Sequence, residues 1–436
     1  MFKKSRIVIA LTLAITLCGV LLAPATLATQ EQVFTTATIT KVLQVPTGTN
    51  VPPGDFKFTF DPISINDDIS LKPPVAGIGA DGLVTITFPR EAPATYTYTE
   101  TVGDTDIYYL ESGELFGNVV WPYAGIYEYN VTENAGTFTT LTDSEDMTYS
   151  PAEYNVNVHV REYMQSDIIP SGKSVGDLYI YTIGTYRTVS ENGEQGRIKV
   201  EPTPGDESTV FNYSQMTFEN VYTKHNGGDE TDPINFNTLS ISKAVAGAYS
   251  SSSIYFEFSV TVTKPESVTD SPVYKAYIVD GGAALTNLTA NGITVFATDN
   301  GGAYVNVSSG TPLSFKLKAG QYLSFTNVHV GASYEVSEEG VAGYVASAIV
   351  TTNSIPGGEA TGSKDYGLEL PDSEVYTLLR VGELTNRTAF TNTNDGVAET
   401  GLTISDLPFY SLILLAIGGL AVIVIIKARN GKTKDK

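Results

Sequence analysis

The chain has one cysteine in 436 residues, Cys18, and it lies inside an apolar N-terminal run. Everything downstream can therefore form no disulfide and offers no cysteine nucleophile. Histidine is nearly as scarce. His159, His225 and His329 are scattered without metal-ligand spacing, and His159 and His329 alternate with valines, which predicts solvent-facing strand positions. No Ser/His/Asp constellation, Gly-rich phosphate loop or paired-carboxylate site stands out, so the expectation is no turnover enzyme, no cofactor and no metal. Basic charge is short too: the formal charge is −22, and the segment between the two ends keeps 18 of the 26 basic residues and 46 of the 48 acidic ones, a balance of −28. That sign argues against nucleic-acid binding and fits a soluble, self-repelling surface. Outside the two ends no segment keeps a helical period.

What is present begins with the ends. Lys3, Lys4 and Arg6 precede an apolar run from Ile7 to Leu22, and small residues follow at Ala23, Ala25 and Ala28. This is the pattern of a secretory signal peptide, residues 1–28, with cleavage after Ala28 or, as the alternative, Ala25. A lipoprotein signal would need a small residue before Cys18, where the sequence has Leu17. At the other end Leu407 to Ile426 is uncharged and long enough to span a bilayer. Lys427, Arg429, Lys432, Lys434 and Lys436 follow it, which holds that tail inside. The expected product is exported and displayed outside the cell, held by its C-terminus.

Between the ends the pattern is β. Phe56, Phe58 and Phe60 alternate with polar residues, as do Tyr154, Val156, Val158 and Val160, and Phe256, Phe258, Val260 and Val262. The polar, Gly-containing stretch from Thr223 to Pro233 reads as a linker. It divides the chain into domains at about 32–224 and 235–394. The two parts resemble each other: ATITKVLQV matches LSISKAVAG, IYEYNVTENAG matches ASYEVSEEGVAG, and MTFENVY matches TAFTNTN. An all-β chain of two tandem sandwiches follows.

Each repeat presents a Lys, a Glu and an Asn in that order. Strand parity puts Lys41 with Ile39, Leu43 and Val45, and Lys243 with Leu239, Ile241 and Val245. Glu133 falls with Tyr127, Tyr129 and Val131, Glu338 with Tyr334 and Val336, Asn220 with Met216 and Phe218, and Asn392 with Phe390. Six polar side chains thus face the core, where isolated charges would cost several kcal/mol. Gathered in one dry pocket, each trio can exist as neutral amine, neutral acid and carboxamide. A neutral amine is a nucleophile, and a protonated Glu can polarise the carboxamide and move protons as ammonia leaves. The expected products are amide bonds from Lys41 to Asn220 and from Lys243 to Asn392, assisted by Glu133 and Glu338. They would close loops of about 180 and 150 residues. The ordinary alternative is a buried Lys–Glu ion pair with an Asn nearby, or a lysine that reaches out to solvent. Occurrence in both repeats favours the cross-link.

These residues resemble the streptococcal-type pilin isopeptide linkage family, the T-antigen-like major pilins of Gram-positive bacteria. The match lies in the strands around Lys41 and Lys243, the Y-x-V-[TS]-E strands ending at Glu133 and Glu338, the strand YNVNVHV at 154–160 and the F-x-N endings at Asn220 and Asn392. The resemblance implies tandem Ig-like (Cna-B-like) domains with Lys–Asn isopeptide bonds, joined by sortase to other pilin subunits and to peptidoglycan. Residues 397–436 are similar to a cell-wall sorting signal: VAETG at 397–401 precedes the apolar span 407–426 and the basic tail, with cleavage implied between Thr400 and Gly401. Its Val-Ala opening departs from the usual Leu-Pro. The lysine that accepts the next subunit in such pilins lies a few residues before the F-x-N strand. VFNYSQ at 210–215 lacks it, which leaves Lys199 and Lys173 as candidates. A monomeric wall- or membrane-anchored adhesin that binds host surface ligands is the other reading, and it predicts a single band in wall extracts where a pilus shaft gives a ladder.

Overall fold

The structure is a computed structural model that describes residues 33–396, apart from 52, 90–97, 139–140, 143, 204–213, 227–238, 354, 363–366 and 371–378. The parts read as signal peptide and sorting signal, with Thr400, Gly401 and the apolar span, lie outside the described residues.

Alternation builds the strands. Along Glu153–Glu162 every second residue is buried, and Phe56, Phe58 and Phe60 all point into one core from Gly54–Ile65. One core face and one wetter face per strand require two sheets packed face to face. Among the described residues the one helical element is a single 3-10 turn, Thr289–Asn291.

The first half forms a five-stranded and a six-stranded sheet. The five-stranded one runs Tyr98–Val102, Thr105–Glu111, Thr40–Pro46, Thr217–Lys224, Glu145–Thr148; the other runs Gln195–Val200, Leu178–Val189, Glu153–Glu162, Gly125–Glu133, Gly54–Ile65, Leu83–Phe88. One hydrophobic core, from Ala37 to Tyr222, lies between them. A second core, from Leu239 to Phe390, lies between a nine-stranded and a five-stranded sheet in the second half. At the centre of the nine-stranded sheet are Leu239–Ala246 and Arg387–Thr393; Phe256–Thr263 and Ser333–Glu338 pair in the sheet opposite.

In each sandwich the opening and closing strands pair in parallel. A parallel pair cannot be joined by a hairpin, so the rest of the sandwich is the crossover between them. The registers coincide: Lys41 stands opposite Phe218 and Leu43 opposite Asn220, while Lys243 stands opposite Phe390 and Val245 opposite Asn392. The glutamates also match, Glu133 pairing with Phe58 and Glu338 with Phe258 in the facing sheets.

The two sandwiches touch end to end. Asn50 donates to Glu383 through its backbone N (2.7 Å) and its Nδ2 (3.0 Å), and Lys224 reaches the same carboxylate at 3.2 Å. Gly331, at φ 83°, lies so close to Pro46 that an added Cβ would sit 2.6 Å from the proline Cβ. The stretch read as a linker begins inside this contact. The closing strand runs to Lys224, and Asn226 donates its backbone N–H to Val328 at 2.9 Å.

One expectation is overturned here. His329 is not a solvent-facing strand residue: it is 4% exposed, its ring centroid lies 4.0 Å from that of His225, and burial pushes its pKa down to about 4. Alternation with Val328 and Val330 describes a strand on a sandwich surface, whereas His329 sits where a second sandwich covers it. His159 does lie between core-facing Val158 and Val160, half-buried.

Candidate functional site

Strand parity turns Lys41 and Asn220 inward from one sheet, and Glu133 meets them from the sheet opposite. Lys41 Nζ donates to Glu133 Oε2 at 3.0 Å, and Asn220 Nδ2 donates to Glu133 Oε1 at 2.9 Å. The carboxylate thus holds amine and carboxamide side by side, one oxygen each. A second bond from Nζ goes to the Phe218 carbonyl at 3.0 Å, and the ammonium lies 4.7 Å from the centre of the Phe56 ring. The side chains of Lys41 and Glu133 are wholly shielded from solvent, and Asn220 is buried.

The second centre repeats this with small changes. Lys243 Nζ reaches both oxygens of Glu338, at 2.8 and 2.9 Å, and Asn392 Nδ2 donates to Oε1 of the same carboxylate. Lys243 Nζ stands 4.0 Å from the centre of the Phe256 ring, the counterpart of Phe56. All three side chains are buried.

Burial decides the electrostatics. Desolvation pulls Lys41 and Lys243 each from 10.5 down to about 8, against the upward pull of their carboxylate partners. Burial raises Glu338, opposed by Lys243 and by the bond from Asn392. For Lys243 and Glu338 the two shifts run toward each other, which lowers the cost of moving a proton from the amine to the carboxylate. Such a centre can form an amide. It holds a nucleophilic nitrogen, a carboxamide electrophile, and an acid bonded to both.

The six residues singled out by repeat and parity come together as two trios. Lys199 lies exposed on the edge strand Gln195–Val200, and Lys173 is exposed in the turn that precedes Leu178–Val189. Two side chains that the repeats did not point to stand at the first centre. Ser150 donates its backbone N–H to Asn220 Oδ1 at 2.8 Å, and its hydroxyl donates to Glu191 Oε2 at 2.7 Å. The dipeptide Ser150-Pro151 was the available signal, since proline ends a strand where the chain must turn. Among the described residues no group of three His, Cys, Asp or Glu side chains is arranged to hold a metal ion.

A family described only as a domain of unknown function (DUF7601) matches residues 237–365, which include Lys243 and Glu338 but stop before Asn392. No curated protein matches the chain. Solved structures similar to it include streptococcal pilins and bacterial adhesins. The major pilin from Streptococcus pyogenes is 16% identical, with a TM-score of 0.29, over 83% of this chain and 99% of that one. The major pilin of an S. pyogenes serotype is 18% identical with the same score and coverage. A Mobiluncus mulieris adhesin containing intramolecular disulfide, isopeptide and ester bond cross-links is 9% identical, with a TM-score of 0.20, over 82% of this chain and 98% of that one.

Proposed function

We propose that this chain is a cell-surface structural protein of the pilin or adhesin kind, two Ig-like domains at about 32–224 and 235–394, each closed by a self-formed Lys–Asn amide bond. The observation that supports it most is the recurrence of a shielded Lys–Glu–Asn trio at one strand register in both sandwiches. Buried ion pairs are weak stabilisers, and as simple ion pairs the two sites would give no reason for an asparagine amide on each glutamate.

In the reaction the Nζ lone pair of Lys41 attacks Asn220 Cγ and makes the new C–N bond, while the carbonyl π pair moves onto Oδ1. Glu133 gives its proton to Nδ2 and takes one from Nζ. The Cγ–Nδ2 bond breaks with its electron pair on nitrogen, which leaves as ammonia, and the carbonyl re-forms. One amine and one carboxamide become one secondary amide, and Glu133 ends as it began. Lys243, Glu338 and Asn392 act alike. Each centre reacts once, so the chain is its own substrate.

Intact-mass measurement of the recombinant exported segment tests this. The chain is expected to be lighter than its sequence by two ammonia molecules, with one restored in Lys41→Ala and the other in Lys243→Ala. A mass equal to the sequence in folded protein ends the reading.

The C-terminal order of VAETG, apolar span and basic tail supports surface display through a signal cut by a sortase at Thr400–Gly401. The acceptor in the next subunit is then an exposed lysine, Lys199 or Lys173. Wall extracts should show a covalent ladder that Thr400→Ala abolishes and that loss of one of these lysines also abolishes. A single band in the unaltered protein assigns the monomeric adhesin instead.

A further inference from the structure

The two centres differ at the carbonyl oxygen of their asparagines. Asn220 Oδ1 accepts the Ser150 backbone N–H at 2.8 Å, in a buried position. Asn392 Oδ1 is buried and meets no hydrogen-bond donor among the described residues.

The cause is where the flanking strand ends. In the first sandwich the strand beside the closing strand is Glu145–Thr148, and its pairing stops at Val221 opposite Thr148, one residue short of Asn220. The chain then leaves the sheet through Tyr149, Ser150 and Pro151 to begin Glu153–Glu162 in the other sheet. Freed from the ladder, the Ser150 N–H turns toward the carboxamide. In the second sandwich the flanking strand Val345–Thr352 pairs straight past the same level, with Ala346 opposite Asn392 and Val345 opposite Thr393.

The Ser150 peptide is held from several sides. Its hydroxyl donates to Glu191 Oε2 at 2.7 Å and accepts the Ala152 N–H at 3.2 Å. Glu191 Oε1 in turn accepts the backbone N–H of Glu219, the residue before Asn220, at 3.0 Å. One carboxylate therefore clamps the donor peptide to the strand that bears the acceptor.

We propose that the Ser150 N–H is a catalytic oxyanion donor for the first amide bond, that Glu191 is the residue that positions it, and that the second centre works without such a donor. This rests on the Lys–Asn reading above and adds the group that takes up charge on Oδ1. When Lys41 Nζ attacks Cγ, the π pair collects on Oδ1, 2.8 Å from a fixed N–H. A donor already aimed at the growing charge lowers the barrier, because nothing has to reorient as the reaction proceeds.

The test follows both bonds in the full exported chain, made by cell-free synthesis and sampled by intact mass, with peptide mapping to tell the two apart. The second bond is the internal control for folding and for the assay. Ser150→Pro deletes the N–H and should slow the first bond by about 100-fold, the scale of losing one oxyanion donor, with the second unchanged. Ser150→Ala and Glu191→Gln loosen the clamp and should slow it less, and Ser150→Thr, which keeps both hydroxyl and N–H, should restore it. Near-ultraviolet circular dichroism checks the fold of each variant. If Ser150→Pro does not fold, Ser150→Ala with its Ser150→Thr rescue decides. Formation of the first bond at the unaltered rate in folded Ser150→Pro, or in Ser150→Ala, overturns the proposal. Absence of both bonds from the unaltered chain would instead refute the Lys–Asn reading itself.

Discussion

Lys41 lies in the field of three carboxylates, Glu133, Glu191 and Glu219, whereas Lys243 meets both oxygens of Glu338. Burial raises Glu191 to about 7 and also raises Glu219, so these two acids beside the first site are discouraged from ionising. Yet burial leaves both lysines at about 8. The comparison teaches that strand register and desolvation set the buried trio, while the groups around it come from local events such as the early end of Glu145–Thr148.

The largest effect should come from removing the proposed bonds one at a time. Asn220→Ala and Asn392→Ala are each expected to lower stability by about 5 kcal/mol, the entropic scale for loops of this length. The two losses should agree closely, since closure entropy changes slowly with loop size. Denaturant titration of each variant measures this, and a large gap between them would break the equivalence of the two sandwiches.

Removal of the assisting acid comes next. Glu133→Ala should slow the first bond, and Glu338→Ala the second, by about 100- to 10,000-fold, the usual contribution of a general acid–base. Peptide mapping after timed synthesis reads this. Loss of both bonds from either single change would show that the sites are not independent.

A pH effect sharpens the comparison further. With both asparagines replaced by Ala, the lysines stay free and buried. Their folded pKa of about 8 lies below the ordinary 10.5, so between those values the unfolded chain binds more protons. Stability should therefore rise with pH from about 7.5 to 9, below the range where buried tyrosines, whose pKa burial raises from 10.0, act in the opposite direction, and thermal melts at about pH 7.5, 8 and 9 are the measurement. A fall over the same range would contradict the burial described here.

The smallest effect is expected at the contact between sandwiches. Glu383→Ala removes the partner of Asn50 and Lys224 and should cost about 0.2–1 kcal/mol, the range for partly exposed pairs. Small-angle scattering should show a wider spread of angles between the halves, and added salt should mimic the change.

Much of this was legible in the sequence, for a physical reason. A strand shows its burial with a period of two, so Lys41 beside Ile39 and Leu43 had to face the core, and recurrence at Lys243 separated pattern from accident. Ser150-Pro151 marked a turn, but the roles of Ser150 and Glu191 were not legible, because they depend on a strand stopping one residue early, a fact of the assembled sheet. His225 and His329 stayed hidden for a similar reason. They are far apart in the chain and meet only because two sandwiches abut, and neighbouring valines made His329 look like a surface residue.

The parallel pairing of opening and closing strands has a mechanical consequence. Since the two run the same way, the chain enters a sandwich at one end and departs at the other. If Lys41 is joined to Asn220 as proposed, a pull along the molecule passes through that junction and bypasses the stretch between them. The loops and edge strands of that stretch bear none of the force, so they are free to lengthen, shorten or change their chemistry without weakening the link.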